Sequence, residues 1–345
     1  MDFLRLIRYK NLIFIAALQW VVFYTVIIPI TKLFQIEPDF VLSGLQFGLL
    51  VLSTVLIAAG GYVINDYFDT RIDGINRPDR VIVGKSISKK QASLIHQIST
   101  ALGIVSGLFV AWQCRSFSVA IVVALIPGLL WFYSASYKRQ FLVGNIVIAL
   151  CAGFVPLIVV LASVENLTLP AHFGDLIRQT PIPQLLYTWV CGFSVFAFLL
   201  TLIREIIKDL EDQEGDREME SRSLPIILGE TKTKIVLYAL IAIMLGLLFF
   251  VWKKFIADFP LFVEDSSLAL RYIIFGLALP LAYLLYLLAK ANTPTKYHQA
   301  ATFCKFVMVI GMLFGFIFYF LLAQGQGIAM FDLFMVNKDA APIIH

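Results

Sequence analysis

The stretch Asn65-Asp66-Tyr67-Phe68-Asp69-Thr70-Arg71-Ile72-Asp73, continuing Gly74-Ile75-Asn76-Arg77-Pro78-Asp79-Arg80, decides how the chain is read. It closes an apolar run long enough to cross a bilayer, where an ionisable group is tolerated only with water, a partner or a cation. If the helix of that run continues through it, Asn65, Asp69 and Asp73 stand at i, i+4 and i+8. With about 40° of drift per step they share one face. A second stretch, Asp209-Leu210-Glu211-Asp212-Gln213-Glu214-Gly215-Asp216, closes a later apolar run. Its i, i+3 and i+7 spacing predicts that Asp209, Asp212 and Asp216 also share a helical face.

Outward from these two stretches the chain is overwhelmingly apolar. Of its 345 residues 60% are hydrophobic and only 14% charged, with a mean hydropathy of +0.86, which cannot make a water-soluble surface. Apolar runs predict nine spans, near 11–33, 42–64, 92–113, 117–135, 142–163, 186–207, 234–252, 270–289 and 302–323. The expected fold is therefore an all-α integral membrane protein of nine transmembrane helices, a single polytopic domain over 1–345. The tail from 324 to 345 carries no interpretable motif. The outer segment near 164–185, with its Asn166-Leu167-Thr168, is expected to be a loop.

The positive-inside rule orients this arrangement. Loops assigned to the cytoplasm carry Arg71, Arg77, Arg80, Lys85, Lys89 and Lys90, then Lys138 and Arg139, then Arg204, Lys208, Arg217, Arg222, Lys232 and Lys234, then Lys290 and Lys296. The opposite side has far fewer. Both acidic stretches thus fall on the cytoplasmic side with the N-terminus, and the cell inner membrane is the expected location. The net charge of +4 is a topology signal; with no basic tail or RNA motif, no nucleic-acid partner is implied. Cys114, Cys151, Cys191 and Cys304 lack metal-site spacing and are expected to face lipid or core. His96, His172, His298 and His345 form no i, i+4 pair, which argues against zinc or haem.

Carboxylates crowded on one face repel each other, and a helix C-terminus adds partial negative charge, so both stretches call for a cation. Hard oxygen ligands suit Mg2+, which keeps waters and shares substrate phosphates. A diphosphate bridged by Mg2+ between the two loops satisfies both. Arg71, Arg77, Arg80, Lys138, Arg139 and Arg222 are placed to neutralise the remaining phosphate charge. One such acidic pattern alone would read as solvated surface; two ending same-side helices do not. Asp79, Glu205, Glu211, Glu214, Glu218 and Glu220 are expected to be solvated or ion-paired.

At these residues the sequence resembles the UbiA-type family of intramembrane prenyltransferases, whose hallmark is an N-D-x-x-D-x-x-x-D loop and a second D-x-x-D-x-x-x-D loop. The resemblance extends over nearly the whole chain and includes Tyr133-Ser134, Lys138-Arg139 and Gly144-Asn145 between spans 4 and 5. It implies a helical bundle around a central cavity, capped by cytoplasmic loops and open sideways to membrane lipids. It further implies transfer of a polyprenyl group from an isoprenyl diphosphate, with Asn65, Asp69, Asp73, Asp209, Asp212 and Asp216 holding Mg2+. Asp69, Asp73, Asp212 and Asp216 are the expected catalytic set. Lys138, Arg77, Arg80 and Arg222 are the expected diphosphate contacts, and Tyr133, Arg139 and Asn145 further substrate contacts. Asp66 is expected to orient a neighbour or the acceptor, and Asn11 to line the acceptor pocket. The many Phe and Tyr residues of the spans suit a wall around an allylic cation.

Family members prenylate aromatic acids, naphthoates, homogentisate, porphyrins or glycerol-phosphate lipids with the same metal loops. Asp73-Gly74-Ile75-Asn76-Arg77-Pro78-Asp79-Arg80 and Arg8-Tyr9-Lys10-Asn11 look closer to the archaeal-type ether-lipid branch, which joins geranylgeranyl diphosphate to geranylgeranylglyceryl phosphate. Val81-Ile82-Val83-Gly84 departs from the Pro-Ile and small-residue turn of many relatives, which leaves an aromatic quinone or pigment acceptor as the alternative. A CDP-alcohol phosphatidyltransferase would need a D-G-x-x-A-R segment, which is absent. A transporter would place its charged or broken segments at the bilayer midplane rather than at span ends.

Overall fold

The computed structural model describes residues 2–76, 81–169, 174–218, 221–257, 262 and 267–335, without the side chains of 71–76 and 334. Among the described residues, nine helices are long and apolar enough to cross a membrane. They are α1 (Tyr9–Leu33), α2 (Gly44–Asn76), α3 (Lys89–Gln113), α4 (Phe117–Ala135), α5 (Val143–Leu167), α6 (Ile182–Glu211), α7 (Glu230–Ala257), α8 (Ser267–Lys290) and α9 (Pro294–Gln326). The protein is an all-α, multi-pass integral membrane protein. Large apolar side chains such as Trp112, Phe117, Phe249 and Phe275 point outward, as a surface facing hydrocarbon requires.

Most helices run several residues past the apolar runs that announce them. Hydropathy sees only the hydrocarbon depth, whereas caps carry the helix on into the polar zone. Ser88 caps α3 through a capping box with Gln91, and the Ser116 hydroxyl accepts from the Val119 amide to open α4. The outer segment differs from expectation. Asn166 belongs to α5, is buried, and donates to the Phe40 carbonyl at 3.0 Å; residues Gly174–Gln179 form another helical turn. A polar residue that pins a neighbouring segment is invisible to a hydropathy count.

Two π-helical turns, Phe23–Ile27 in α1 and Tyr272–Ala278 in α8, each lie just before a proline, Pro29 and Pro280. Proline has no N–H to return to the preceding turn, and the ladder widens there. In α1 the Thr25 hydroxyl donates to the Val21 carbonyl at 2.6 Å.

Small residues set the closest approaches. A Cβ on Gly103 would lie 2.8 Å from Ile57 Cγ1 and 3.0 Å from the Ser53 carbonyl, so α2 and α3 pack nearly backbone to backbone, and the Ser53 hydroxyl donates to the Gly103 carbonyl at 2.7 Å. Around the bundle, α2 packs on α3 and α4, α5 on α6, α6 on α7 and α9, and α8 on α9; α1 touches α2, α5 and α9. At Gly315 of α9 a Cβ would sit 2.6 Å from Val21 Cγ1. There α1 and α9 touch; nearer their starts both contribute cavity-lining residues, Phe14, Ile15 and Leu18 from α1 and Met308, Val309 and Met312 from α9. A two-stranded hairpin (β1, Ala329–Met330; β2, Phe334–Met335) follows α9, and Asp332 in its turn pairs with Lys32 at 2.6 Å.

Candidate active site

A cavity of about 1400 Å³ occupies the bundle. Its depth is apolar, with Leu18, Ile57, Ile126, Leu130, Phe154, Ile158 and Phe193 on the walls. Its mouth is charged: Asn65, Asp66 and Asp69 come from α2, Lys138 and Arg139 from the turn after α4, and Asp209, Asp212 and Asp216 from the end of α6 and beyond. Tyr133 and Asn11 line it as well.

The α2 helix does run on through the first acidic stretch, to Asn76. One turn apart, the Asn65 amide donates to Asp69 Oδ2 at 2.8 Å, leaving the Asn65 carbonyl oxygen as an additional hard ligand. Asp69 is buried, and its other carboxylate oxygen receives the Lys138 ammonium. Lys138 reaches it because the chain doubles back tightly between α4 and α5. A Cβ on Gly144 would meet Lys138 Cα at 2.7 Å, so the turn tolerates only glycine there. The side chain of Asp73 lies outside the described residues, as do Arg77 and Arg80.

The second acidic stretch departs from one continuous helical face. The α6 helix ends at Glu211, Asp212 takes a non-helical conformation (φ −98°, ψ 14°), and Gln213–Glu218 form a separate turn. Carboxylates accumulating at the negative end of a helix favour such a break. The three aspartates nonetheless open on the same cavity. Asn145 serves Asp209, donating to its Oδ2 at 2.8 Å. Burial first, and then the charges of Asp212 and Asp69, push the Asp216 carboxyl above the ordinary carboxylate range.

Asp66 points away from Asp69 to Arg8, whose guanidinium donates to its Oδ1 at 2.9 Å and lies over the Tyr62 ring. Arg8 holds a left-handed conformation (φ 51°, ψ 52°) at the corner between the surface helix Asp2–Leu6 and α1. Arg222 is exposed and absent from the cavity wall; its backbone N–H donates to the Arg139 carbonyl at 2.9 Å. The Val81-Ile82-Val83-Gly84 departure builds a tight turn in which Gly84 takes φ +90° and the amides of Lys85, Ser86 and Ile87 converge on the Ile82 carbonyl. Lys85 and Ser86 thereby reach the cavity.

Sequence reasoning missed a polar group one turn before Asp209 on α6. Glu205, buried, accepts from Arg204 Nη1 at 2.5 Å and Lys208 Nζ at 2.9 Å; ion pairing was foreseen, a cavity position was not. Lys305 of α9 lines the same cavity. The signal was present: charges inside otherwise apolar runs mark function by default. Glu211 is within hydrogen-bond distance of His298 Nδ1, at 3.0 Å. The cysteines are free.

The donor set fits Mg2+. Among the described residues no three acidic, His or Cys side chains converge as a ready-made chelate, but Mg2+ is held by one or two carboxylates together with substrate phosphates. Asp69, Asp209, Asp212 and Asp216 supply hard oxygens around one opening, and Lys138 already provides one of the positive charges they require.

The UbiA prenyltransferase family model matches residues 24–308. The chain is 31% identical over 264 residues to a digeranylgeranylglyceryl phosphate synthase of Methanosphaera stadtmanae, covering 76% of this chain and 83% of that protein. It is 31% identical over 319 residues to the Methanosarcina mazei enzyme of the same name, covering 91% and 97%. Among solved structures, a digeranylgeranylglyceryl phosphate synthase in membranes aligns with a TM-score of 0.58 at 23% identity over 92% of this chain and 97% of the other. An Archaeoglobus fulgidus UbiA homologue bound to DMAPP and Mg2+ aligns at 0.54 and 19% identity, over 92% and 99%. These likenesses extend the shared fold over nearly the whole length. The chain belongs to the UbiA prenyltransferase family, and it is a prenyltransferase.

Proposed function

We propose that this protein transfers the geranylgeranyl group of geranylgeranyl diphosphate to the glycerol hydroxyl of geranylgeranylglyceryl phosphate. The observation that carries the reading is the convergence of two aspartate-bearing helix ends on the charged mouth of one deep apolar cavity. Relatives named for this synthase activity align over most of their length, which favours a lipid acceptor over an aromatic one. Residues 1–345 act as one catalytic unit, with the acidic loops and N-terminus cytoplasmic in the cell inner membrane.

Asn65, Asp69, Asp73, Asp209, Asp212 and Asp216 would hold Mg2+, which when bound neutralises the diphosphate and makes it a better leaving group. Lys138 and Arg139 meet the same diphosphate, with Arg77 and Arg80 as further contacts. Lys138 moves from Asp69 to phosphate oxygen as substrate arrives. The walls formed by Leu130, Phe154 and Phe193 hold the prenyl chain and keep water from the allylic carbon. The C1–O bond breaks, pyrophosphate leaves with the bonding pair, the acceptor hydroxyl oxygen bonds to C1, and its proton passes to solvent. Asn145 keeps Asp209 oriented throughout.

Pyrophosphate release by the detergent-purified protein with Mg2+ and geranylgeranyl diphosphate tests this reading. Product mass spectrometry is run with geranylgeranylglyceryl phosphate or 4-hydroxybenzoate in parallel. Prenylation of the lipid is expected; prenylation of the aromatic acid alone would overturn the acceptor assignment.

A further inference from the structure

The basic turn of α6 that precedes Asp209 has no part in holding the diphosphate described above. Arg204 and Lys208 stand one turn apart on α6, and Glu205 between them fixes both head groups. The Cys304 thiol lies against the Leu200 carbonyl at 3.5 Å, which sets α9 on α6 with Lys305 about one turn from Arg204. Both α1 and α9 run away from the acidic loops and touch at Val21 and Gly315. Ten residues back along each, at the same rise per residue, Lys305 comes level with the first turns of α1 and so with Arg8 and Asn11. Arg8, Asn11, Arg204, Lys208 and Lys305 all line the cavity. Among the described residues Lys305 makes no hydrogen bond or ion pair, and its side chain is exposed.

The local charge is unbalanced. Four cations, Arg8, Arg204, Lys208 and Lys305, face three carboxylates, Asp66, Glu205 and Asp209. One positive charge is left over in the cavity that Phe14 and Ile15 of α1 and Met308 and Val309 of α9 also line. Val309 is itself exposed, as is Ile13. A lipid entering there keeps its chain against apolar side chains and brings its head group to the basic set. A phosphomonoester carries between one and two negative charges at neutral pH, which offsets the surplus.

Resting on the acceptor class proposed above, we propose that Arg204, Lys208 and Lys305, with Arg8 at the rim, form the site for the phosphomonoester head group of the acceptor lipid. It lies one turn before Asp209 along α6, next to the diphosphate site rather than within it. Glu205 is its positioning residue, holding the two α6 cations in place while leaving them donors to spare. With the head group held one turn along α6 from the aspartates that face the diphosphate, the acceptor hydroxyl stays close to the reacting carbon.

The test is equilibrium binding of radiolabelled geranylgeranylglyceryl phosphate to purified protein in detergent, without Mg2+ or diphosphate. The dephosphorylated alcohol and inorganic phosphate serve as competitors. The phosphorylated lipid should compete at least about tenfold better than the alcohol. Lys305→Gln and Arg204→Gln should each remove most of that preference, Lys305→Arg should keep it, and Asp212→Asn should leave it intact. Inorganic phosphate should compete with the wild type and lose its effect in Lys305→Gln. A preference that survives both Gln variants, or that falls as far in Asp212→Asn, overturns the site. Protein that binds the phosphorylated lipid in this way but transfers no prenyl group to it would retire the proposed function and leave the head-group site standing.

Discussion

Replacing Lys138 by methionine tests the double role of this side chain. Its ammonium sits on Asp69, and the two side chains are only 13% and 12% exposed, so the pair is little screened by solvent. A charge-assisted hydrogen bond in such a place contributes about 1.5–3 kcal/mol net. In the free protein that interaction competes with metal for Asp69, whereas in the substrate complex the same cation faces phosphate. Lys138→Met should therefore shift two observables in opposite directions. Mg2+ binding to substrate-free protein should tighten, because Asp69 is released. The kcat/KM for geranylgeranyl diphosphate should fall by about 10- to 150-fold, the rate equivalent of that energy. Lys138→Arg should recover part of the loss. Metal binding is read by calorimetry and turnover by pyrophosphate release on the same preparation. Unchanged kcat/KM, or weaker Mg2+ binding in Lys138→Met, would refute the assignment.

Asp69→Ala and Asp212→Ala should each abolish Mg2+-dependent turnover while leaving membrane insertion intact; activity retained in both would remove the two-loop metal model. Asn145→Ala, which strips Asp209 of its hydrogen-bond donor, should weaken apparent Mg2+ affinity by about 10- to 100-fold, the usual cost of losing a ligand's support. Stopped titrations of Mg2+ against turnover check it. The raised Asp216 carboxyl sets a pH dependence. A carboxyl whose folded pKa lies above its unfolded one binds more protons folded than unfolded, so metal-free stability should fall as pH rises through that folded pKa. Mg2+ must displace the same proton, so its affinity should rise over the same interval, and Asp216→Asn should flatten both profiles in thermal-shift and calorimetric titrations.

The membrane class, the number of spans and the two acidic ends were legible in the linear sequence because each rests on a local property. Hydrocarbon thickness demands runs of apolar residues wherever they sit in the fold. Helical periodicity relates Asn65 to Asp69 without reference to any other helix, and the structure returns that contact as a hydrogen bond. The limits of local reasoning appear at Asp212, where a helix expected to continue breaks. They appear again at Asn166, which an assumed loop turned out to hold inside α5.

Only tertiary packing decided which charges meet. Lys138 on Asp69, Arg8 on Asp66 and Asn145 on Asp209 join residues 69, 58 and 64 positions apart, distances over which sequence spacing carries no geometric information. The basic set of Arg204, Lys208 and Lys305 depends on how α6 and α9 slide against each other, and a small residue at their contact, Gly311 against Phe196, sets that register. A transmembrane lysine announces by itself that something must compensate its charge. What compensates it, and whether that partner is protein or a lipid phosphate, is determined by the neighbours that the fold brings to it.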